Sequence, residues 1–477
     1  MSGPQISRHT FLAGGVGASL LLALVPVTAS SASAAQLHTP VPTPLRRADF
    51  VFFPSTIFSD PAIKAKYFNY IKRFRVCLTN GYDAFTGRDL AELKRASCDL
   101  FFYRWFNGYY ETELSDSMYV SYPHVVDGYR VINSHPDWLL NPTNPIQGGG
   151  AVTPAFFYDW GNPQLRKYFV DFVHRSFDYT GYNGVFFDYI GDWALPAAIL
   201  PIWSEKHPDL SYNEAGALFV QELRASMTSE QRIFGNGTYR LQNARTFYES
   251  LDFDVTESYG TSFFWGDQAT IYLEGAAMTP IYETFYRLWD GDAGYREYIA
   301  WPLSEITGAP VEFFEIDYMQ PRYAPTGDTV VVDGVARPVF RAETDRAAIY
   351  YGYSLSKLNN ISNFNSDWYS AAIGLGEVYF SDLGRPLETS YRELPEVVVR
   401  YFEKGFVLIT RGTDQVSFAP DVAMIPQTSR TLWDDYAGGA VPNWSRQANA
   451  VTVNPQTYPA TGGHHPSGRV FLYQARR

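Results

Sequence analysis

Short apolar runs bounded by turn residues alternate with stretches of helical periodicity through most of the chain. The runs read as buried strands and the periodic stretches as helices packed on them. Phe50–Phe53 predicts a first strand and Ala62–Arg73 a helix whose Lys64, Lys66 and Lys72 face water. Arg75–Thr79 is the second strand, closed by Asn80-Gly81, and Thr86–Ala96 the next helix, with Thr86 at its N-cap and Leu90 and Leu93 on its buried side. Leu100–Phe106 is the third strand. A long irregular segment, about 111–160, is rich in Pro, Asn and Gly, and loops of that length in a compact domain are usually functional. Gln164–Phe177 is then a helix, with Asn162 as N-cap and Pro163 at the first helical position.

Val185–Phe187 is the fourth strand and ends at Asp188. Asn213–Met227 is a helix. Arg232–Gly237 is the fifth strand, with no acid at its end. Phe253–Gly260 is the sixth, with Glu257 near its C-terminal end. Thr279–Thr284 reads as the seventh strand, Tyr295–Ile306 as the following helix and Val311–Ile316 as the eighth strand, with Trp368–Ile373 competing for that place. Thr344–Leu358 closes the series as a helix. Eight strands alternating with helices predict an α/β fold, a (β/α)8 barrel over residues 49–374. From about residue 375 the helical period fades. Val397–Phe402 and Phe406–Thr410 then read as a hairpin turning at Lys404-Gly405, within a small C-terminal β domain over 375–477.

The N-terminus changes the picture. Arg8 and His9 precede the apolar run Phe11–Val27, and Ala32-Ser33-Ala34 fits a cleavage site, so residues 1–34 read as an export signal. Ser7–Leu12 is similar to a twin-arginine signal with His9 in place of the second Arg. Residues 35–48, rich in Pro and Thr, read as a linker, and the mature chain is expected to be secreted. No later run is long and apolar enough for a membrane span.

The net charge of −12 argues against a nucleic-acid partner. Aromatic residues make up 17% of the chain, with 35 Tyr and 11 Trp. Those side chains suit either an aromatic-rich core or a cleft in which flat faces pack on sugar rings. Two cysteines, Cys77 and Cys98, allow one disulfide outside the cell or two buried thiols. No phosphate loop, esterase elbow or His-based metal motif occurs, and His464-His465 stands alone, so no cofactor or metal is expected.

The candidate chemistry is acidic. In a parallel barrel the residue past a strand's C-terminal end faces the mouth. Asp188 and Glu257 stand at such ends, one strand apart. Two carboxylates across a mouth are what glycoside hydrolysis needs, one ionised and one protonated. The alternatives are a helix-capping or loop-organising role for Asp188 and an ion pair within the barrel for Glu257. Asp192 and Glu283 are the reserve acids. Arg104, at the third strand's end, either binds substrate or bridges within the barrel. Asp159 either binds sugar or organises its loop. Trp105, Tyr109, Trp160, Tyr189, Trp193 and Tyr259 are candidate stacking surfaces on strand-end loops.

Asp159-Trp160-Gly161-Asn162-Pro163 followed by Gly184-Val185-Phe186-Phe187-Asp188 resembles the approach to the fourth strand of α-amylase-like and α-galactosidase-like glycosidases. Val378–Pro386 and Arg400–Leu408 resemble the end of a group of hypothetical glycosyl hydrolases. The resemblance covers roughly residues 50–410. It implies that Asp188 is the nucleophile, or the base if the enzyme inverts, and that the linkage is α. For Glu257 the carry-over is positional. The α-amylase type places its acid on the fifth strand, where this chain has Asn236. The α-galactosidase type places it on the sixth, usually as Asp. A non-catalytic carbohydrate-binding barrel and a polysaccharide lyase are the competing classes.

Overall fold

The structure is a computed structural model that describes residues 49–474 apart from 54–60, 80–84, 86, 117, 119–121, 148–153, 242, 258–259, 264–269, 274–278, 281–283, 292–293, 307–308, 310, 320–321, 333, 344, 360, 368–375 and 458–463. The export signal, the linker and the competing strand Trp368–Ile373 therefore lie outside the described residues.

Eight parallel strands close into a barrel. They are β1 (Asp49–Phe53), β2 (Val76–Thr79), β3 (Asp99–Trp105), β4 (Gly184–Asp188), β5 (Arg232–Asn236), β6 (Phe253–Thr256), β7 (Glu312–Met319) and β8 (Ser362–Asp367). Around the barrel each strand pairs with its neighbour in sequence, and β8 pairs with β1. Helices follow the first seven strands: α1 (Pro61–Ile71), α2 (Gly87–Arg95), α3 (Pro163–Thr180), α4 (Tyr212–Ser226), α5 (Ala244–Tyr248), α6 (Tyr295–Ile306) and α7 (Arg346–Asn359). The start of α3 has a local cause. The Asn162 side chain accepts from the Gln164 and Leu165 N–H groups, and Pro163 fills a position whose N–H would have no partner inside the helix.

The last two strands correct the expected assignment while the count of eight stands. Thr279–Pro280 does not enter the barrel; it pairs with Thr270–Leu273 in a four-stranded side sheet. The seventh barrel strand is Glu312–Met319, the run expected as the eighth, and the eighth is Ser362–Asp367. The long hairpin Arg322–Val332 with Val335–Glu343 is inserted between β7 and α7.

Side chains alternate across each strand. Phe101, Phe186, Phe234, Phe253 and Phe314 point inward and fill the barrel, with the Phe186 and Phe234 rings 5.2 Å apart and those of Phe234 and Phe314 5.3 Å apart. Outward residues such as Phe102, Val185 and Phe187 pack beneath the helices. The N-terminal end of the barrel is held by ion pairs, Arg75 to Glu312 and Arg224 to Asp252.

The C-terminal region carries a six-stranded antiparallel sheet centred on β9 (Val397–Phe402), β10 (Gly405–Thr410) and β11 (Gly468–Leu472). The hairpin turn is Glu403-Lys404 rather than Lys404-Gly405, because Phe402 pairs with Gly405. Gly405 belongs to the strand: a Cβ there would stand 2.3 Å from the Phe471 carbonyl oxygen. This sheet lies on α7, which is buried at every residue from Ala347 to Asn359. A helix buried all round loses its amphipathic pattern. The Arg400 guanidinium donates to the Leu358 carbonyl at 2.7 Å, and Ser354 donates to the Arg469 carbonyl. Cys77 and Cys98 are both buried free thiols.

Candidate active site

The alternation that sends five phenylalanines into the barrel sets the layer above them. Two residues beyond Phe101, Phe186 and Phe234 stand Tyr103, Asp188 and Asn236. Glu257 stands on the same face two residues beyond Val255, just past the end of β6.

These four side chains form one hydrogen-bonded group. The Asn236 Nδ2 donates to Asp188 Oδ1 at 2.7 Å and to Glu257 Oε2 at 2.7 Å. Both oxygens are bound to a single nitrogen, so they lie no more than twice that distance apart. Tyr103 donates its hydroxyl to Asp188 Oδ2 at 2.7 Å, and the Tyr189 N–H donates to Asp188 Oδ1 at 3.0 Å. Asp188 thus receives three donors, an arrangement suited to an anion. Burial and then the Glu257 charge nevertheless push its carboxyl up to about 7, against the pull of those donors. Burial and the Asp188 charge raise the Tyr103 hydroxyl well above its ordinary value, which keeps it a donor.

Tyr189 has φ 59°, in the left-handed region that non-glycine residues rarely occupy. That turn aims its N–H back at the Asp188 carboxylate. Its ring lies 5.6 Å from that of Trp193. Trp193 donates to the Ile190 carbonyl at 2.7 Å, and the Arg240 guanidinium lies 4.2 Å over its ring. Arg240 also donates to the Tyr239 hydroxyl and, at 3.4 Å, to the Glu257 carbonyl. Tyr103, Tyr110, Tyr189 and Trp193 are half-buried, as are Asp188 and Glu257.

The other expected site residues are distributed differently. Arg104 is 1% exposed and turns outward, donating to Ser176 on α3 and to the Tyr103 carbonyl. It follows inward-facing Tyr103 on the same strand, so the pleat sends it to the opposite face and away from the mouth. Tyr109 and Trp160 are fully buried. Tyr109 stacks on Tyr129 at 4.8 Å, and Trp160 on Phe219 at 4.3 Å. Both are packing residues here rather than exposed stacking surfaces. Trp105 is buried and stacks on Tyr110 at 4.9 Å. Asp159 organises loops: it meets Lys206 Nζ at 2.6 Å and His207 Nε2 at 2.7 Å, and accepts from the Gly161 N–H. Asp192 and Asn213 exchange two hydrogen bonds, each 2.9 Å. Tyr259 and Glu283 lie outside the described residues.

Sequence reasoning passed over Tyr103, noted Asn236 only as the place of a missing acid, and passed over Arg240. The first two were within reach of the period-two rule applied to the strands flanking β4. For Arg240, the last residue of a short 3-10 turn, the pattern offers no comparable signal. Among the described residues, no group of three or more His, Cys, Asp or Glu side chains could hold a metal ion, and no helix is long and apolar enough to cross a membrane.

No family model matches the chain, and no curated protein matches it. Solved structures similar to it include the glycoside hydrolase domain of PelA from Pseudomonas aeruginosa, at 12% identity, covering 69% of this chain and 97% of that one with a TM-score of 0.39. A noncanonic maltogenic alpha-amylase, AmyB from Thermotoga neapolitana, is 10% identical over 89% of this chain and 99% of its own, with a TM-score of 0.46. The spore cortex-lytic enzyme SleL of Bacillus cereus is 10% identical over 70% of this chain and 74% of its own, with a TM-score of 0.36. These likenesses are of barrel architecture at low identity, and no residue role is taken from them.

Proposed function

We propose that the chain is a secreted glycoside hydrolase that cleaves a poly- or oligosaccharide with Asp188 as nucleophile and Glu257 as general acid. The observation that carries this reading is the Asn236 amide bound to both carboxylates. It holds two acids from different strands together at the open end of a barrel. The two oxygens that share the Asn236 nitrogen lie at most twice 2.7 Å apart, a bound that favours the separation of about 5–5.5 Å found in retaining enzymes over the about 6.5–9.5 Å that inversion needs to admit a water.

In this reading Asp188 attacks the anomeric carbon while Glu257 protonates the departing oxygen. The glycosyl–Asp188 ester is then hydrolysed by a water that Glu257 deprotonates. Tyr103 and the Tyr189 N–H hold the attacking carboxylate in place. Trp193 and the mouth tyrosines offer flat faces to sugar rings. The α linkage rests on the fourth-strand resemblance, and secretion on the N-terminal pattern.

The test is a screen of purified protein against a broad glycan panel, with Asp188→Asn and Glu257→Gln run beside it and the anomer of the first product read by NMR. Sugar release with retained configuration, reduced by about a thousandfold or more in Asp188→Asn, is expected. Full activity in that variant would remove Asp188 from the mechanism, and an inverted product would require a different pair. Release lost only in Asp188→Asn would move the acid to another side chain.

A further inference from the structure

Gly260 follows Glu257 by three residues, and the segment beyond Gly260 is held from behind the barrel wall. The Thr261 N–H donates to Asp317 Oδ1 at 2.9 Å, and the Thr261 hydroxyl reaches the same oxygen at 3.2 Å. Asp317 sits on the outer face of β7, 3% exposed, beside Glu315, which is 0% exposed. Tyr295 of α6 donates to Glu315 Oε2 at 2.7 Å, and Asn359 at the end of α7 donates to the Tyr295 hydroxyl at 3.1 Å.

Two glycines shape this socket. A Cβ on Gly260 would stand 2.7 Å from Asp317 Oδ1 and 3.2 Å from Glu315 Oε1, and one on Gly352 of α7 would stand 2.3 Å from Asp317 Oδ2. The Gly260 carbonyl is fixed in turn by the Arg287 N–H at 2.9 Å. Burying two acids side by side is unfavourable unless their oxygens are used. Burial and then the Asp317 charge push Glu315 well above the usual carboxylate range. The pair therefore keeps a proton, and Asp317 remains an acceptor for Thr261.

We propose that Asp317 is a positioning residue for Glu257: by gripping Thr261 it fixes how deeply the Glu257 carboxyl enters the mouth to meet Asn236. The role rests on the functional reading for its effect on catalysis, but its geometric consequence stands apart from activity.

The experiment is a carboxyl-carbon NMR titration of Asp188 in the full chain, in wild type, Asp317→Ala and Asp317→Asn. The asparagine keeps an oxygen that accepts from Thr261. In wild type Asp188 is expected to titrate near 7. In Asp317→Ala, Glu257 withdraws and the Asp188 midpoint falls toward the ordinary carboxylate range, while Asp317→Asn stays near wild type. On a substrate found by the glycan screen, kcat should fall about a hundredfold in Asp317→Ala with KM little changed, as an ångström-scale displacement of a reacting group does. An unchanged Asp188 midpoint in Asp317→Ala overturns the positioning role. If that variant does not fold, Thr261→Val, which removes one of the two donors, takes its place. A smaller shift in the same direction is then expected, and no shift overturns the proposal. An ordinary Asp188 midpoint in wild type overturns the paired-acid site and this role with it. An inactive wild type with a raised Asp188 overturns the hydrolase reading alone.

Discussion

Asp188 is held by three donors and opposed by burial and a neighbouring acid, and this balance makes its titration the most informative property of the site. As nucleophile it must be ionised while Glu257 keeps the pair's one proton. The step near 7 arises with Glu257 already charged, so it removes that last proton and sets the alkaline limb of kcat/KM near pH 7. The Tyr103 hydrogen bond favours the anion. Tyr103→Phe should therefore move that limb upward by about one pH unit, the scale of a hydrogen bond to a charged group. A limb that stays in place would show that the tyrosine does not bind the carboxylate in the working enzyme. The same balance affects stability. The folded Asp188 holds its proton more tightly than the unfolded chain does, so stability falls as pH rises from about 4 to about 7 and stays reduced above that. Asp188→Asn removes the penalty. Its Tm should exceed that of wild type at pH 8, with the advantage shrinking toward pH 4, as calorimetry would read. Asp188 was legible in the sequence because it ends an apolar strand with an acid. Tyr103 was not chosen, although one step of alternation separates it from Arg104. The charge of Arg104 drew attention, while the pleat had already assigned that side chain to the helix layer.

At the scale of elements, the alternation of strand and helix was readable through β6 and slipped afterwards. Thr279–Thr284 has the look of a strand, but none of its described residues enters the barrel: Thr279 and Pro280 pair with Thr270–Leu273, and Thr284 pairs with Phe263 in a separate two-stranded sheet. β7 and β8 are separated by a long hairpin whose strands satisfy each other, and nothing local in such a hairpin marks it as an insertion. α7 was found, but its all-round burial follows from the later arrival of β9, β10 and β11, a long-range fact that no local period encodes. Its contact with β11 is close. A Cβ on Gly468 would meet the Tyr350 carbonyl oxygen and the Tyr351 Cα, each at 2.5 Å. Both are backbone atoms, and neither can swing aside. Gly468→Ala is expected to destabilise the fold by about 1–3 kcal/mol, read as a fall in Tm of a few degrees, without a change in KM. An unchanged Tm would mean that sheet and helix are not in contact as described.

For the whole molecule, α7 belongs to two layers at once. Its faces complete both the barrel wall and the floor of the C-terminal sheet, so neither part buries its apolar surface alone. Separate domains commonly unfold in separate steps. Here a single calorimetric transition is expected, and truncation before Val397 should leave an aggregating barrel with α7 exposed. Two resolved transitions would contradict that account. The tie between the two acids has one more consequence. Asn236 is followed by Gly237, and asparagine before glycine is the pairing most prone to lose its side-chain nitrogen as ammonia. Only the strand geometry, with the Gly237 N–H held by the Val255 carbonyl at 3.2 Å, slows the ring closure that begins that loss. Were it to proceed, the donor that joins the two acids would become a third acid between them. The site thus carries its own clock of ageing, wound most tightly in the folded state and released by heat.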